Sequence, residues 1–360
     1  MMTILDRYIL KEFFIFFLLL LVSFTGLFLI VEFFERMRMF LSNHASFYQV
    51  AAYFFYRLPF MVSQIIPVAV LLASLITYST LSRHSEIVAM KASGISIHRT
   101  AMPIIAAASL ICFLAFFIGE FITPKANQKV DYIRYIEVQK KETRGTFKQN
   151  QIWYRGTNTI YNFKYFDPEN NIIKGITINH LDRDFNLTMR IDAERAQWQD
   201  DGWLFYNLLI ARYEEGGFPI LERIDVRRIN LPEKPEDFKI VQKDADKMGY
   251  MELKKFVRKI RSEGYDATKY TADMHGKIAF SFVSLILAVI GISFSLKPER
   301  SGGIALSIGI GIAIGFSYWI IHAFFMSLGR SGSLPPLLAA WLANIILSFA
   351  ALILFARVKT

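Results

Sequence analysis

Two constellations in this sequence combine residue types and spacings that could do chemistry. In Ser85-Glu-Ile-Val-Ala-Met-Lys-Ala-Ser-Gly94, one carboxylate, Glu86, stands among three apolar side chains, Ile87, Val88 and Met90. Glu86 to Ala92 suits a short helix, with Ser82 and Ser85 available as N-caps and Gly94 as its stop. An acid beside apolar groups on a short loop helix suits docking against a partner; a mere connecting turn would not need them. The second constellation is Arg36 and Arg38, at the end of a long apolar run. Guanidinium pairs bidentately and strongly with phosphate. Glu32 and Glu35 stand close enough to neutralise these arginines instead, as at an ordinary solvated helix end.

Catalytic groupings are missing. There is no GxxxxGK followed by Ser or Thr, no HExxH, no GxSxG, and no pair of histidines at a metal-ligand spacing. His275 and His322 sit near apolar runs and read as packed or interfacial residues. The single cysteine, Cys112, excludes an intrachain disulfide and a paired-cysteine zinc site. No cofactor, resident metal or catalytic residue is expected, and any energy for transport must come from a partner.

What positions the two constellations is a split chain. Apolar runs at Phe13–Phe34, Leu58–Thr80, Thr100–Ile122, Ile278–Leu296, Gly303–Leu328 and Pro336–Phe355 are each about 20 residues, enough at 1.5 Å per residue for a hydrocarbon core of about 30 Å. Mean hydropathy is +0.32 and 53% of residues are hydrophobic, too apolar for an ordinary soluble domain. The net charge of +10 comes largely from Lys and Arg flanking the runs, which argues for membrane orientation over nucleic acid. Arg7, Lys11, Arg83, Lys91, Arg99, Lys297, Arg300, Arg357 and Lys359 make nine on one side, against four (Arg36, Arg38, Arg57, Arg330) on the other. The nine-charge side is cytoplasmic, so both termini are inside and the segment after the third run faces outward. In a two-membrane bacterium that is the periplasm.

Within the runs, ionisable groups are few. Glu32 and Glu120 lie near outer ends, where they reach water, so coupling to an ion gradient has little support. Gly309, Gly311 and Gly315 fall inside an apolar run and follow no strand. They suit close helix contact, either within the chain or as a sliding seam against a partner.

The polar segment reads as strands. Phe185, Leu187, Met189 and Ile191 alternate with Asn186, Thr188, Arg190 and Asp192, the period of a half-buried strand. Thr159–Phe166, Gly175–Leu181, Trp203–Ala211 and Ile220–Leu231 continue at antiparallel spacing, with a slip suggesting a bulge between Val226 and Ile229. One β-sandwich or jelly roll is expected. Leu253, Phe256, Val257 and Ile260 then fall at i, i+3, i+4 and i+7 among basic residues, a helix stopped at Gly264. It either packs on protein or lies on an anionic membrane surface.

SEIVAMKASG (Ser85–Gly94) resembles the coupling-helix motif of the lipopolysaccharide-export permeases, the LptF/LptG family. LDRYILKEF (Leu5–Phe13), and Asp266-Ala267 with Tyr270 and Lys277, are similar to the LptG branch. The resemblance covers the chain in order and implies a permease that pairs with an LptF-like partner and an LptB ATPase dimer. It implies that lipopolysaccharide passes to LptC and LptA-type periplasmic jelly-roll proteins. It places Glu86 at the ATPase contact, Arg36, Arg38 and Arg134 at lipid phosphate, and lateral gates at the first and fifth runs, here Phe24, Phe28 and the three glycines. The jelly-roll interior would hold Phe185, Leu187, Met189 and Ile191. Two positions depart from the family pattern: Leu29 stands where a lysine is common, and Asp131 where an arginine is expected.

The expected architecture is an α-helical membrane protein with six transmembrane helices and an inserted periplasmic β-jelly-roll domain. Residues 1–122 hold spans 1–3 with a coupling helix near 83–94, residues 123–270 the insert, and residues 271–360 spans 4–6. A membrane-anchored scaffold or receptor that moves nothing is the rival; it explains the insert but neither six spans nor the apolar cytoplasmic loop. A secondary transporter would call for span repeats and mid-membrane ionisable groups.

Overall fold

The computed structural model describes residues 3–357 apart from 141–144, 149–150, 156–158, 168–169, 183–185, 200–201, 214–217, 232–233, 236–237, 239–244, 263–265 and 297–302. The chain forms two compact units, residues 1–139 with 245–360, and residues 140–244. The segments 123–139 and 245–270, grouped with the insert by sequence, make their contacts within the helical unit.

The helical unit begins with α1 (Ile4–Ser42) and α2 (Phe47–Arg83). Both open on reciprocal capping boxes, Thr3 with Asp6 and Ser46 with Gln49, which satisfy otherwise orphaned backbone donors. The short α3 (Glu86–Ala92) leads into α4 (Ile97–Phe117). A π-helical turn at Ile118–Ile122 joins α4 to α5 (Thr123–Tyr132), and a second follows at Ile133–Val138. After the sheet come α6 (Tyr250–Ser262), α7 (Thr268–Ser295), α8 (Gly303–Arg330) and α9 (Pro336–Ala356). Six helical stretches are long and apolar enough to cross a membrane.

α2 is the central post. In its most apolar window 72% of residues are buried, against 11% in α1 and 17% in α8. Ala69, Val70, Leu72 and Ala73 of α2 meet Phe13 and Phe17 of α1, Ala101 and Ile104 of α4, and Ala288 and Ile292 of α7. α7 lies against α2 at backbone distance: a Cβ on Gly291 would stand 2.6 Å from the Leu71 carbonyl oxygen. The basic helix α6 resolves in favour of packing, because Leu253, Phe256, Val257 and Ile260 are all buried in protein and Phe256 meets Tyr270 edge-on at 5.0 Å. No apolar face of α6 is left for a membrane surface.

The second unit carries one antiparallel sheet, with β1 (Gly145–Lys148), β2 (Gln151–Arg155), β3 (Thr159–Asp167), β4 (Ile172–Leu181), β5 (Leu187–Gln199), β6 (Gly202–Arg212) and β7 (Ile220–Ile229) in chain order. The described strands pair only with their sequence neighbours, as a meander. The Greek-key crossovers that define a jelly roll are absent among the described residues.

A crease crosses this meander. Lys164, Gly175, Glu194, Asn207 and Asp225 face one another on β3 to β7, and the pairing skips each of them. Gly175 and Asn207 have left-handed φ values of 62° and 52°. Phe163 and Phe166, Ile173 and Ile176, Ala193 and Ala196, and Phe205 and Leu208 are buried pairs three residues apart, one pair per strand across the line. Each strand therefore carries one extra residue, bends, and keeps its apolar side inward. The slip expected between Val226 and Ile229 falls instead at Asp225, on this line. Three strand spacings, about 14 Å, would separate β3 from β6 in a flat sheet. Here Phe163 of β3 and Trp203 of β6 both reach the Phe238 ring, at 5.2 and 5.8 Å. The sheet is thus curled around its apolar side.

Candidate functional site

The loop helix α3 forms where the sequence places it. Gly94 adopts φ 80°, and Gly94 and Ile95 donate backbone hydrogen bonds to the Lys91 and Met90 carbonyls, closing a Schellman stop. Its start differs from expectation. Ser85 has a left-handed φ of 57° and makes no side-chain cap. Of the three apolar residues, Ile87 is 6% exposed and belongs to the core cluster beneath α1, α2 and α4. Val88 is 65% exposed and Met90 half-buried, so these two supply the outward apolar surface. Glu86 accepts a hydrogen bond from the Tyr8 hydroxyl at 3.1 Å, and His84 Nδ1 lies 3.8 Å from the same oxygen. Nearby, Arg99 of α4 donates to both oxygens of Asp6 on α1, at 2.8 and 2.9 Å. α3 and α4 are each tied to the first turns of α1.

At the far ends of α1 and α2, two guanidinium groups flank one carboxylate. Glu32, 5% exposed, accepts from Arg57 Nε at 3.0 Å, and Arg36 Nε stands 3.9 Å from the same oxygen. Arg134, from the second π turn, joins Glu32, Arg36 and Arg57 in the electrostatic surroundings of Tyr53. The Nε atoms of Arg36 and Arg134 are buried without hydrogen-bond partners. Arg57 lies 4.3 Å over the Phe60 ring and Arg134 5.0 Å over the Tyr135 ring, which fixes their planes. The two buried Nε donors left without hydrogen-bond partners are suited to an anion. Arg38 is exposed and outside this cluster. Glu32 is not a water-reaching end group, as its sequence position suggested, but a buried counter-ion. Glu120 also has fixed partners, the backbone N–H groups of Tyr250 and Met251. In the sequence Arg57 enters only the charge asymmetry; the signal for its place here is Glu32, an acid set in an apolar run and needing a partner.

The two departures also have structural places. Leu29 packs beside the cluster holding Phe40, Tyr53 and Phe54. Asp131 pairs with Lys247 at 2.6 Å, so its charge is taken up locally.

α1 and α8 present the least covered apolar faces. Phe24 is half-buried on the core, and Phe28 is 40% exposed. The three glycines divide. Gly311 and Gly315 face α2 of the same chain, where an added Cβ would stand 2.4 Å from Leu72 Cδ2 and 3.2 Å from Val68 Cγ2. Gly309 meets nothing within 4 Å and opens outward beside Leu306, Ile312 and Phe316.

In the sheet, Ile191 is 3% exposed in the curled interior, Met189 packs against it, and Leu187 is half-buried near the strand start. Phe185 lies outside the described residues. On the other side, Asp192 accepts from Thr177 at 2.6 Å and from Arg190 at 2.7 Å. Burial pushes its carboxyl up, but the Arg190 and Thr177 hydrogen bonds outweigh that and hold it below the usual carboxylate range. Burial pushes the His180 ring below its ordinary value.

The sequence model described as lipopolysaccharide export system permease LptF/LptG matches residues 7–357. The chain is 25% identical over 361 residues to the lipopolysaccharide export system permease protein LptG of Escherichia coli strain K12, covering 95% of this chain and 94% of that protein. It is 22% identical over 338 residues to the LptG protein of Haemophilus influenzae, with 89% of each covered.

Proposed function

The chain belongs to the lipopolysaccharide export permease family LptF/LptG, and from that premise we propose that it is the LptG-type half of an ATP-driven lipopolysaccharide exporter. It is a transport subunit and not a catalytic enzyme. In this reading it lies in the bacterial inner membrane with both termini cytoplasmic and the sheet in the periplasm. An LptF-like permease completes the membrane part, an LptB-type ATPase dimer supplies energy, and LptC and LptA-type proteins receive the lipid.

The observation that carries the reading is α3. A seven-residue helix keeps Val88 largely exposed beside an oriented carboxylate, at the end of the bundle the charge count places in the cytoplasm. Such a surface needs a cytoplasmic partner, and its hydrogen bond to α1, which is tied in turn to α4, gives a partner's motion a route into the spans. The uncovered faces of α1 and α8 would form the lateral gates against the second permease, with Phe28 and Gly309 on the outside and Phe24, Gly311 and Gly315 supporting them from within. Arg36, Arg57 and Arg134, with exposed Arg38 nearby in sequence, would hold the lipid's phosphates. The curled sheet would act as the first jelly-roll-type trough, its apolar interior shielding acyl chains.

The trough step is tested by a photo-crosslinking residue in place of Leu187 in the assembled exporter. Capture of lipopolysaccharide during ATP turnover is expected; no capture while transport proceeds would remove the sheet from the path.

A further inference from the structure

The chain that leaves the sheet re-enters the helical unit at Ala245, as a short 3-10 turn (Ala245–Lys247) leading into α6. Side chains from the first π turn and from α5 strap this return segment down. Asn127 and Gln128 donate to the Asp246 and Lys247 carbonyls at 3.1 and 2.9 Å. Asp131 pairs with Lys247 at 2.6 Å. Glu120, in the π turn, accepts the backbone N–H groups of Tyr250 and Met251, one on each carboxylate oxygen.

The Glu120 contact is a helix cap supplied by another element. The Gly249 carbonyl accepts the first bond of α6, from the Leu253 N–H at 2.9 Å, so Gly249 stands at the N-cap position. A Ser, Thr, Asp or Asn there would cap its own helix. Glycine has no side chain to offer, and a larger residue is shut out: an added Cβ would stand 2.6 Å from the Glu120 carbonyl oxygen and 2.9 Å from its carboxyl carbon. The first donors of α6, and the positive end of its dipole, therefore meet a carboxylate 130 residues before Tyr250 in the chain. That carboxylate sits where the regular helix is interrupted, and π turns of this kind are frequent at functional sites.

The other end of the same stretch is also tied. From Ile97 to Val138 the chain is helical without a break. At its start Arg99 holds both oxygens of Asp6, on the end of α1 that also holds Glu86 through Tyr8. One continuous element thus begins beside the docking loop and caps the helix that leads to α7.

We infer that Glu120 is a positioning residue for transport. Through its cap on α6 it makes the return segment move with α4, so a displacement begun at the cytoplasmic loop reaches the segment that joins the sheet to α7. The inference rests on the export reading and deepens it, by naming the contact that carries the effect of ATP hydrolysis beyond the spans. An ordinary cap only stabilises α6; a transmitting one sets how much lipid moves for each ATP.

The test uses the assembled exporter in proteoliposomes containing lipopolysaccharide, with ATP hydrolysis and lipid passed to an LptA-type acceptor both read per folded complex. Glu120→Gln keeps the shape but sets an amide N–H group against one of the two backbone donors. ATP hydrolysis should stay near wild type while lipid moved per ATP falls several-fold, a split that loss of folded protein does not produce. Adding Gln128→Cys and Lys247→Cys, and joining them with a short bifunctional thiol reagent, should restore the ratio, because the strap is then closed without Glu120. A proportional fall in both activities, an unchanged ratio, or a ratio that the crosslink leaves low overturns the role of Glu120 and leaves the export reading standing. Absence of ATP-linked lipid movement in the wild-type complex overturns both.

Discussion

The Tyr8 hydroxyl on α1 donates to the Glu86 carboxylate on α3 across 78 residues of sequence, at 3.1 Å. The acid that would meet the ATPase is therefore held by the first turns of the helix that would form a gate. Asp6 and Arg99 make a second tie between the same end of α1 and α4.

Glu86→Lys reverses the charge of the docking surface while Ile87 keeps α3 anchored in the core. Membrane insertion and yield should match the wild type, and ATP-linked transport should fall to background. Tyr8→Phe should keep the ATPase bound but lower lipid moved per ATP hydrolysed. Wild-type transport by Glu86→Lys in a reconstituted export assay would remove α3 from the coupling path.

Arg36→Ala with Arg134→Ala should reduce the lipopolysaccharide that copurifies with the complex, since both side chains carry buried donors with no protein partner. Arg57→Ala should behave differently. It strands a buried Glu32 carboxylate, so stability should fall by about 1–3 kcal/mol, read as a lowered melting temperature. Unchanged bound lipid in the Arg36 and Arg134 double variant, measured by mass spectrometry, would refute the phosphate assignment.

Gly291→Ala should cost about 1–3 kcal/mol, because its Cβ meets the Leu71 backbone oxygen and neither helix can yield cheaply. Gly309→Ala meets nothing in this chain, so the purified subunit should melt at the wild-type temperature or slightly above. A transport defect in Gly309→Ala without loss of stability would locate Gly309 at a contact with another molecule.

The sheet unit should lose stability on acidification. Because burial holds the His180 ring below its ordinary value, the unfolded chain binds that proton more readily, and stability falls as pH drops through about 6.5. Asp192 is held low by Arg190 and Thr177, so its contribution is present above about pH 3.9 and is lost as pH falls through the lowered value. Neither group weakens the unit between pH 7 and 8. Melts followed by fluorescence of the Trp198–Trp203 pair, at 5.3 Å, should show the acid loss, with the lower limb flattened in Asp192→Asn.

The six spans were legible because length and apolar content alone identify a membrane helix. The end of α3 was legible because Gly94 is a local signal. Other features depend on contacts that no local pattern records. Arg57 and Glu32 stand 25 residues apart in sequence and meet only when α1 and α2 pack. Ile87 looked like part of a docking face, but the helix phase and the core beneath turn it inward. The period-two reading found five strands, but the crease at Gly175 and Asn207 shifts every buried residue by one, which blurs alternation. β1 and β2 lie outside the five alternating segments, and a meander and a jelly roll are built from the same alternating segments, so alternation alone does not separate them.

The most direct measurement is a mild-detergent purification of this chain from its native membrane, with mass spectrometry of the retained proteins and lipids. The account predicts a second six-span permease, an ATPase and lipopolysaccharide together. Recovery of the chain alone, or with a periplasmic protein and no ATPase or lipid, would contradict it.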